Sequence, residues 1–226
     1  MDTRGRLTAV TAEIASAARR AGRSGDDVEL VAVSKTHGPD AILPLLGAGQ
    51  RSFGENRVQE AAAKWPALRA EYPGVRLHLV GQLQSNKARD AALLFDVIHS
   101  VDRPSLVDAL AAACTTTGRR PDCYIQVNIG DEPQKGGVAL TALAALLDRA
   151  RAVLPVVGLM AVPPAGIEPA PFFALLADLA RRHGLSGLSM GMSDDYPVAV
   201  ELGATCVRVG SALFGARDYP AAAEPA

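Results

Sequence analysis

Val31-Ala32-Val33-Ser34-Lys35-Thr36 is an apolar run that ends in a single lysine and is followed by His37, Gly38 and Pro39. A lysine closing a buried strand is an unfavourable choice unless its amine has work to do. Burial can lower an ammonium pKa by roughly 3 to 5 units, which leaves the amine neutral or covalently occupied. The first expectation is therefore a nucleophilic amine at Lys35.

Outward from this run the same grammar repeats. Short apolar strand-like runs fall at 28–34, 51–53, 77–80, 97–101, 123–129, 156–161, 187–190 and 205–209, and helical spacing fills most of the gaps between them. Helices are predicted at about 40–47, 56–70, 85–94, 104–116, 139–151, 169–182 and 195–202, with a short turn after Ser211. A further helix leads the chain, carrying Leu7, Val10, Ile14, Ala17 and Ala18 on one face and stopping near Gly22. Asp102, ahead of Arg103-Pro104, is read as a helix cap. Eight β/α repeats in 226 residues predict a single (β/α)8 TIM barrel with an extra N-terminal helix. The strands are too short and too evenly apolar for an antiparallel sheet. No linker or charge shift divides the chain, so one domain over 1–226 is expected, with the leading helix in about 1–25 and a frayed tail in about 219–226.

Lys+Arg 23 against Asp+Glu 24 gives a net charge of −1, which removes the electrostatic case for nucleic acid or an anionic membrane as partner. Any anion must be gripped locally. Cys114, Cys123 and Cys206 are odd in number and widely spaced, which fits buried thiols in a reducing compartment rather than a disulfide or metal set. No run approaches the ~20 apolar residues that span a bilayer, and the first residues carry no signal core. A cytoplasmic monomer is expected.

Barrel chemistry belongs at the C-terminal ends of the strands, where the βα loops gather. Lys35 ends the first strand and Asn56 follows the second. Met160 ends the sixth, Ser193 follows the seventh, and Arg208-Val209-Gly210-Ser211 closes the eighth. Gly210-Ser211 at a strand-to-helix turn offers backbone N–H groups to an anion, although such turns are common without one. Arg208 shares a strand face with Gly210 and needs an inward partner. Taken alone, that partner is read as a carboxylate such as Glu201 or Asp194. Asn56 and Asn128 are by themselves turn residues as readily as ligands, and Lys87 and Lys135 sit on site-side loops. The four histidines suggest no metal set. Together, a strand-end lysine, a phosphate-type turn and an inward arginine fit pyridoxal 5'-phosphate (PLP) held as a Schiff base. An arginine at the pyridine nitrogen would keep that nitrogen unprotonated and weaken the electron sink.

Six motifs carry a closer resemblance: the stretch from Val31 to Thr36, Phe53 to Glu60, His78 to Lys87, Gly158 to Ala161, Leu188 to Asp195, and Val207 to Gly215. In order and in register, they resemble the pyridoxal phosphate homeostasis protein family from about residue 4 to 219. The resemblance implies a fold type III PLP-binding barrel, similar to the N-terminal domain of alanine racemase, with Lys35 as the Schiff-base lysine. It also implies the cofactor phosphate on Ser193, Gly210 and Ser211, Arg208 near the pyridine nitrogen, and Asn56 and Met160 against the cofactor. The function so implied is intracellular PLP (vitamin B6) homeostasis, by storing PLP or delivering it to PLP-dependent apo-enzymes without catalysis. A low-activity amino-acid racemase or transaminase is the alternative, and a barrel binding a sugar phosphate without a Schiff base is a weaker third. Alanine racemase has a second, β-rich domain and a partner-supplied tyrosine base, and no tyrosine here is an evident second base. The segment 163–186 is short beside many relatives, and the loop 131–137 keeps a Lys-x-Gly pattern.

Overall fold

The computed structural model describes residues 2–215. The frayed tail expected at 219–226, and Tyr219 with it, lie outside the described residues. Eight parallel strands close into a barrel in sequence order: β1 Glu29–Val33, β2 Ser52–Glu55, β3 Arg76–Leu79, β4 Val97–Val101, β5 Asp122–Gln126, β6 Val156–Met160, β7 Gly187–Ser189 and β8 Cys206–Val209. Closure is made by β1 on β8, with Val31 opposite Arg208. The helices are α1 Thr3–Arg20, α2 Pro39–Gly47, α3 Val58–Glu71, α4 Ala88–Leu94, α5 Pro104–Thr117, α6 Leu143–Arg151, α7 Ala170–Arg182, α8 Tyr196–Glu201 and α9 Ser211–Phe214. This is the expected (β/α)8 barrel.

Most of the apolar core lies between the strands and the helices, where Phe53, Trp65, Phe95 and Phe173 are fully buried. The barrel interior is different. It holds two small apolar clusters, Val31 with Val33 and Cys206, and Val97 with Tyr124 and Met160. Between them, buried polar side chains from two pairs of adjacent strands, β3 with β4 and β7 with β8, fill the centre: His78, His99, Ser189 and Arg208. All three cysteines are free and buried, as their spacing implied.

Helix α1 is capped by Asp2, whose carboxylate accepts the Gly5 N–H at 2.8 Å, and it buries Val10, Ile14, Ala17 and Ala18. Arg6 on α1 donates to the Leu213 carbonyl at 2.6 Å and Arg23 to the carbonyls of Val200 and Ala204. The leading helix thus ties down the last two β/α units beside the closing strand pair.

Three local expectations need correction. β2 runs to Glu55 instead of stopping at residue 53, so Glu55 is a wholly buried strand residue and not part of the loop. The fifth strand ends at Gln126, and Val127 continues it only as a single bridge to Val138. Asp102 is not the cap of α5: Arg103 occupies that position ahead of Pro104, and Asp102 instead accepts the Gly137 N–H at 3.3 Å, anchoring the 131–137 loop. A carboxylate can satisfy either backbone donor, and the loop across the barrel mouth supplies the closer one.

Candidate cofactor site

A cavity of about 340 Å³ opens at the C-terminal ends of the strands, on the side where β8 meets β1. Lys35, Asn56, Ser193, Arg208, Gly210 and Ser211 all line it, together with Val33, His37, Val80, Val162, Met192 and Asp194. Six of the seven residues singled out from sequence are brought together. Met160 is not: it is 1 % exposed and packs in the barrel interior against Val97 and Tyr124, while Val162, two residues on, reaches the cavity wall.

Lys35 stands two residues beyond the end of β1 and is half-buried, so the fully buried lysine of the opening expectation lies elsewhere. It is Lys64 on α3, with 7 % of its side chain exposed. Its Nζ lies 2.8 Å from Glu55 Oε1 and donates to the carbonyls of Ser34 and His37, each at 2.9 Å, bracketing Lys35. Glu55 Oε1 also accepts the Ser34 hydroxyl at 2.6 Å and the Trp65 indole N–H at 3.0 Å. Between the bracketed residues, Thr36 takes φ +66°, a left-handed conformation that a β-branched residue adopts only under constraint. Glu60, one helical turn before Lys64, accepts the Thr36 N–H at 2.6 Å and supplies that constraint. The Lys35 loop is therefore set from behind by a buried ion pair.

On the opposite wall, the Ser193 hydroxyl accepts the N–H groups of Gly210 at 3.2 Å and Ala212 at 3.3 Å. It gathers two backbone donors of the β8 to α9 turn at one point, an arrangement that suits an anion. His37 stacks on Phe214 with ring centroids 4.5 Å apart, joining the Lys35 loop to this turn. At the floor, Arg208 is 5 % exposed and donates to Ser189 Oγ at 2.6 Å and the Ala161 carbonyl at 2.9 Å. The carboxylate partner expected for it is absent: Glu201 pairs with Arg20 at 2.6 Å, and no carboxylate among the described residues lies within ion-pair distance of Arg208. Burial lowers the pKa of its guanidinium, with partial relief from the surrounding acidic groups.

Of the two asparagines, Asn56 packs its backbone so close to Gly81 that a Cβ there would meet the Asn56 carbonyl at 2.3 Å, so glycine at 81 is what lets Asn56 reach the cavity. Asn128 does not reach it. Its side chain closes the β5 loop on Glu132, at 2.9 and 3.1 Å, the turn role its position suggested. Lys135 donates to the Pro163 carbonyl at 3.0 Å, and Lys87 lines a neighbouring, more open cavity of about 800 Å³ with Arg57, Gln82 and Gln84. No group of histidines, cysteines and carboxylates among the described residues makes a metal site. Sequence reasoning missed Glu55, Lys64, Ser189 and the two core histidines. For the strand residues the one signal was a polar side chain within an apolar strand, which names no partner, and Lys64 on α3 gave none.

Fold and site together define a closed (β/α)8 barrel with an amine, an arginine and a donor-rich turn around one cavity at its mouth. The family described as alanine racemase, N-terminal domain, matches residues 6–218. A Pseudomonas aeruginosa protein named pyridoxal phosphate homeostasis protein is 42 % identical over 225 residues, covering 96 % of each chain, and an Aquifex aeolicus protein of the same name is 38 % identical, covering 95 % of this chain and 98 % of the other. Among solved structures, PipY of Synechococcus elongatus is 39 % identical, covering 95 % of this chain and 100 % of that one. Its TM-score is 0.84 for the structure described as without PLP and 0.81 for that with PLP bound. Alanine racemase from Corynebacterium glutamicum, at 18 % identity and TM-score 0.63, shares the fold over 63 % of its length. The chain belongs to the pyridoxal phosphate homeostasis protein family.

Proposed function

We propose that this chain binds PLP in the cavity at the β8–β1 side of the barrel mouth, attached through Lys35, and serves PLP homeostasis in the cytoplasm by storing the cofactor and releasing it to apo-enzymes. The whole chain acts as one PLP-binding domain and as a monomer. The observation that carries the reading is Arg208: a buried cation at the floor of a cavity that has an amine on one wall and a gathered set of N–H donors on the other. That donor set matches a molecule with an aldehyde, a pyridine nitrogen and a phosphate. The relative described with PLP bound supports the same choice. PLP supplies an aldehyde that a lysine amine captures with loss of water.

In this reading Lys35 tethers the ligand. Ser193, Gly210 and Ser211 hold the phosphate, Arg208 faces the pyridine nitrogen as a donor, and Asn56 lies along the ring edge. Arg208 cannot give up its proton to a ring nitrogen, so the nitrogen stays unprotonated and carbanion chemistry gains little. Storage rather than turnover fits a second feature. No tyrosine among the described residues lines the cavity, and Tyr196 is buried at the start of α8.

Borohydride reduction of the loaded protein followed by peptide mass mapping should place a pyridoxyl group on Lys35; an adduct on another lysine, or none, overturns the assignment. Lys35→Ala should keep reversible, phosphate-dependent binding and lose the covalent adduct. Incubation with a panel of L-amino acids should give D-isomer or keto acid no faster than free PLP does. Clear turnover would favour the racemase-like alternative.

A further inference from the structure

Behind Arg208 a line of hydrogen-bonding groups crosses the barrel from the cavity to the opposite mouth. Arg208 Nη1 donates to Ser189 Oγ at 2.6 Å, and Ser189 Oγ lies 2.7 Å from His99 Nδ1. His99 Nε2 lies 2.9 Å from His78 Nδ1, and His78 Nε2, which has no aligned hydrogen-bond partner, faces Glu29 Oε1 at 3.3 Å, a contact of electrostatic kind. Ser189, His99 and His78 are wholly buried, and Tyr124 stacks on the His99 ring with centroids 4.6 Å apart, fixing its plane. At the far end Glu29, at the start of β1, also accepts the Ser52 hydroxyl at 2.7 Å and lies 3.5 Å from Arg76. Three strands besides β1 and β8, namely β3, β4 and β7, supply the line, and none of them lines the cavity.

The two ends dictate the direction of the bonds between them. Arginine only donates and an ionised carboxylate only accepts. A lone pair of His78 Nε2 facing the Glu29 carboxylate would be repelled, so Nε2 carries the hydrogen. His78 Nδ1 then accepts from His99 Nε2–H, and His99 Nδ1 accepts from the Ser189 hydroxyl. Ser189 is left with its lone pairs turned toward Arg208. Every donor points away from the cavity, and each tautomer is set by the next group along.

We propose that Ser189, His99, His78 and Glu29 form a directional hydrogen-bond relay that orients the Arg208 guanidinium toward the pyridine nitrogen of bound PLP, which makes His99 a positioning residue of the cofactor site. This rests on the PLP reading above. Its distinctive consequence is that the electronic state of the ring nitrogen depends on a side chain that the cofactor does not touch.

The test uses the full chain loaded with PLP carrying ¹⁵N in its ring, with the nitrogen resonance and the absorption band of the bound cofactor as readouts. His99→Gln can still accept from Ser189 through its amide oxygen and donate to His78 through its amide nitrogen, and should keep the wild-type resonance. His99→Phe keeps the ring and the volume but neither bond; it should shift both resonance and absorption band and weaken PLP affinity about two- to tenfold, the value of one hydrogen bond. Glu29→Gln lies at the rim of the far mouth, where misfolding is a small risk, and should move the resonance in the same direction by less. If wild-type and all three variants share one resonance, the relay is overturned. Should His99→Phe fail to fold, a Glu29→Gln resonance unchanged from wild type overturns it equally. Failure of the wild-type chain to take up PLP on Lys35 would instead overturn the PLP reading, and mass mapping of the same samples separates the two.

Discussion

Two buried polar clusters stand behind two side chains of the same cavity, and they are built on opposite principles. Behind Lys35 is a charged pair, Lys64 with Glu55, which grips backbone carbonyls and comes from neighbouring elements, β2 and α3. Behind Arg208 is a line of imidazoles and a hydroxyl, which grips a side chain and comes from strands far apart in the chain. A loop needs its backbone fixed, and an ammonium with three donors can collect several carbonyls at once. An arginine already brings a charge into the core, so its supports are best left neutral, because a second buried cation would be strongly disfavoured. In agreement, burial above all holds His99 far below the usual histidine range.

Removing one partner of the charged cluster should do the most damage. Lys64→Met leaves Glu55 buried and uncompensated, at an expected cost of about 3 to 5 kcal/mol in urea unfolding. The double variant Glu55→Leu/Lys64→Met should recover most of that stability. It should not recover PLP affinity, because the carbonyls of Ser34 and His37 lose their anchor; full recovery of affinity would show that the pair serves the fold and not the loop.

Ser189→Ala probes the neutral line and should cost less, about 1 to 3 kcal/mol, since it leaves one Arg208 N–H and the His99 Nδ1 acceptor unsatisfied without removing the partner of an ion pair. A loss as large as that of Lys64→Met would erase the distinction between the two clusters.

The far end of the line has its own pH signature. Burial works against ionisation of Glu29, but the adjacent His78, the hydrogen bond from Ser52 and the nearby Arg76 hold its carboxyl down at about 2. A carboxyl depressed in the folded state stabilises above its unfolded pKa of about 4.3, and that contribution is lost as pH falls from there toward 2. Allowing for its partial exposure, about 1 to 2 kcal/mol is at stake. Thermal unfolding from pH 6 to pH 2 should therefore show a shallower acid decline in Glu29→Gln than in the parent chain.

The smallest effect is expected at Thr36. Thr36→Gly relieves a left-handed residue but loosens the unfolded chain, and the net gain should be about 0.5 kcal/mol, seen as a small rise in melting temperature. A loss of stability would mean that the Thr36 side chain, whose hydroxyl donates to the Lys35 carbonyl at 2.5 Å, holds more than its backbone does.

The barrel was legible because each β/α unit announces itself locally, and the cavity followed from the rule that strand ends gather at one mouth. Lys35, Arg208, Gly210 and Ser211 were found as chemistry-bearing residues at such ends. Met160, expected against the cofactor from the resemblance alone, packs one layer below the cavity, because a strand-end position gives no depth along the barrel. Glu55 was hidden by a strand boundary two residues off, and Lys64 by a helix whose apolar pattern is weak.

Alone, then, the order of residues determined the repeat, the closed architecture and the choice of Lys35 as the candidate tether, since apolar spacing and turn chemistry act over a few residues. Tertiary structure decided which polar groups meet. Glu55 finds Lys64, and Arg208 finds Ser189, His99 and His78 in place of a carboxylate, because those partners are brought within 3 Å only when the barrel closes and the stagger of its strands is set.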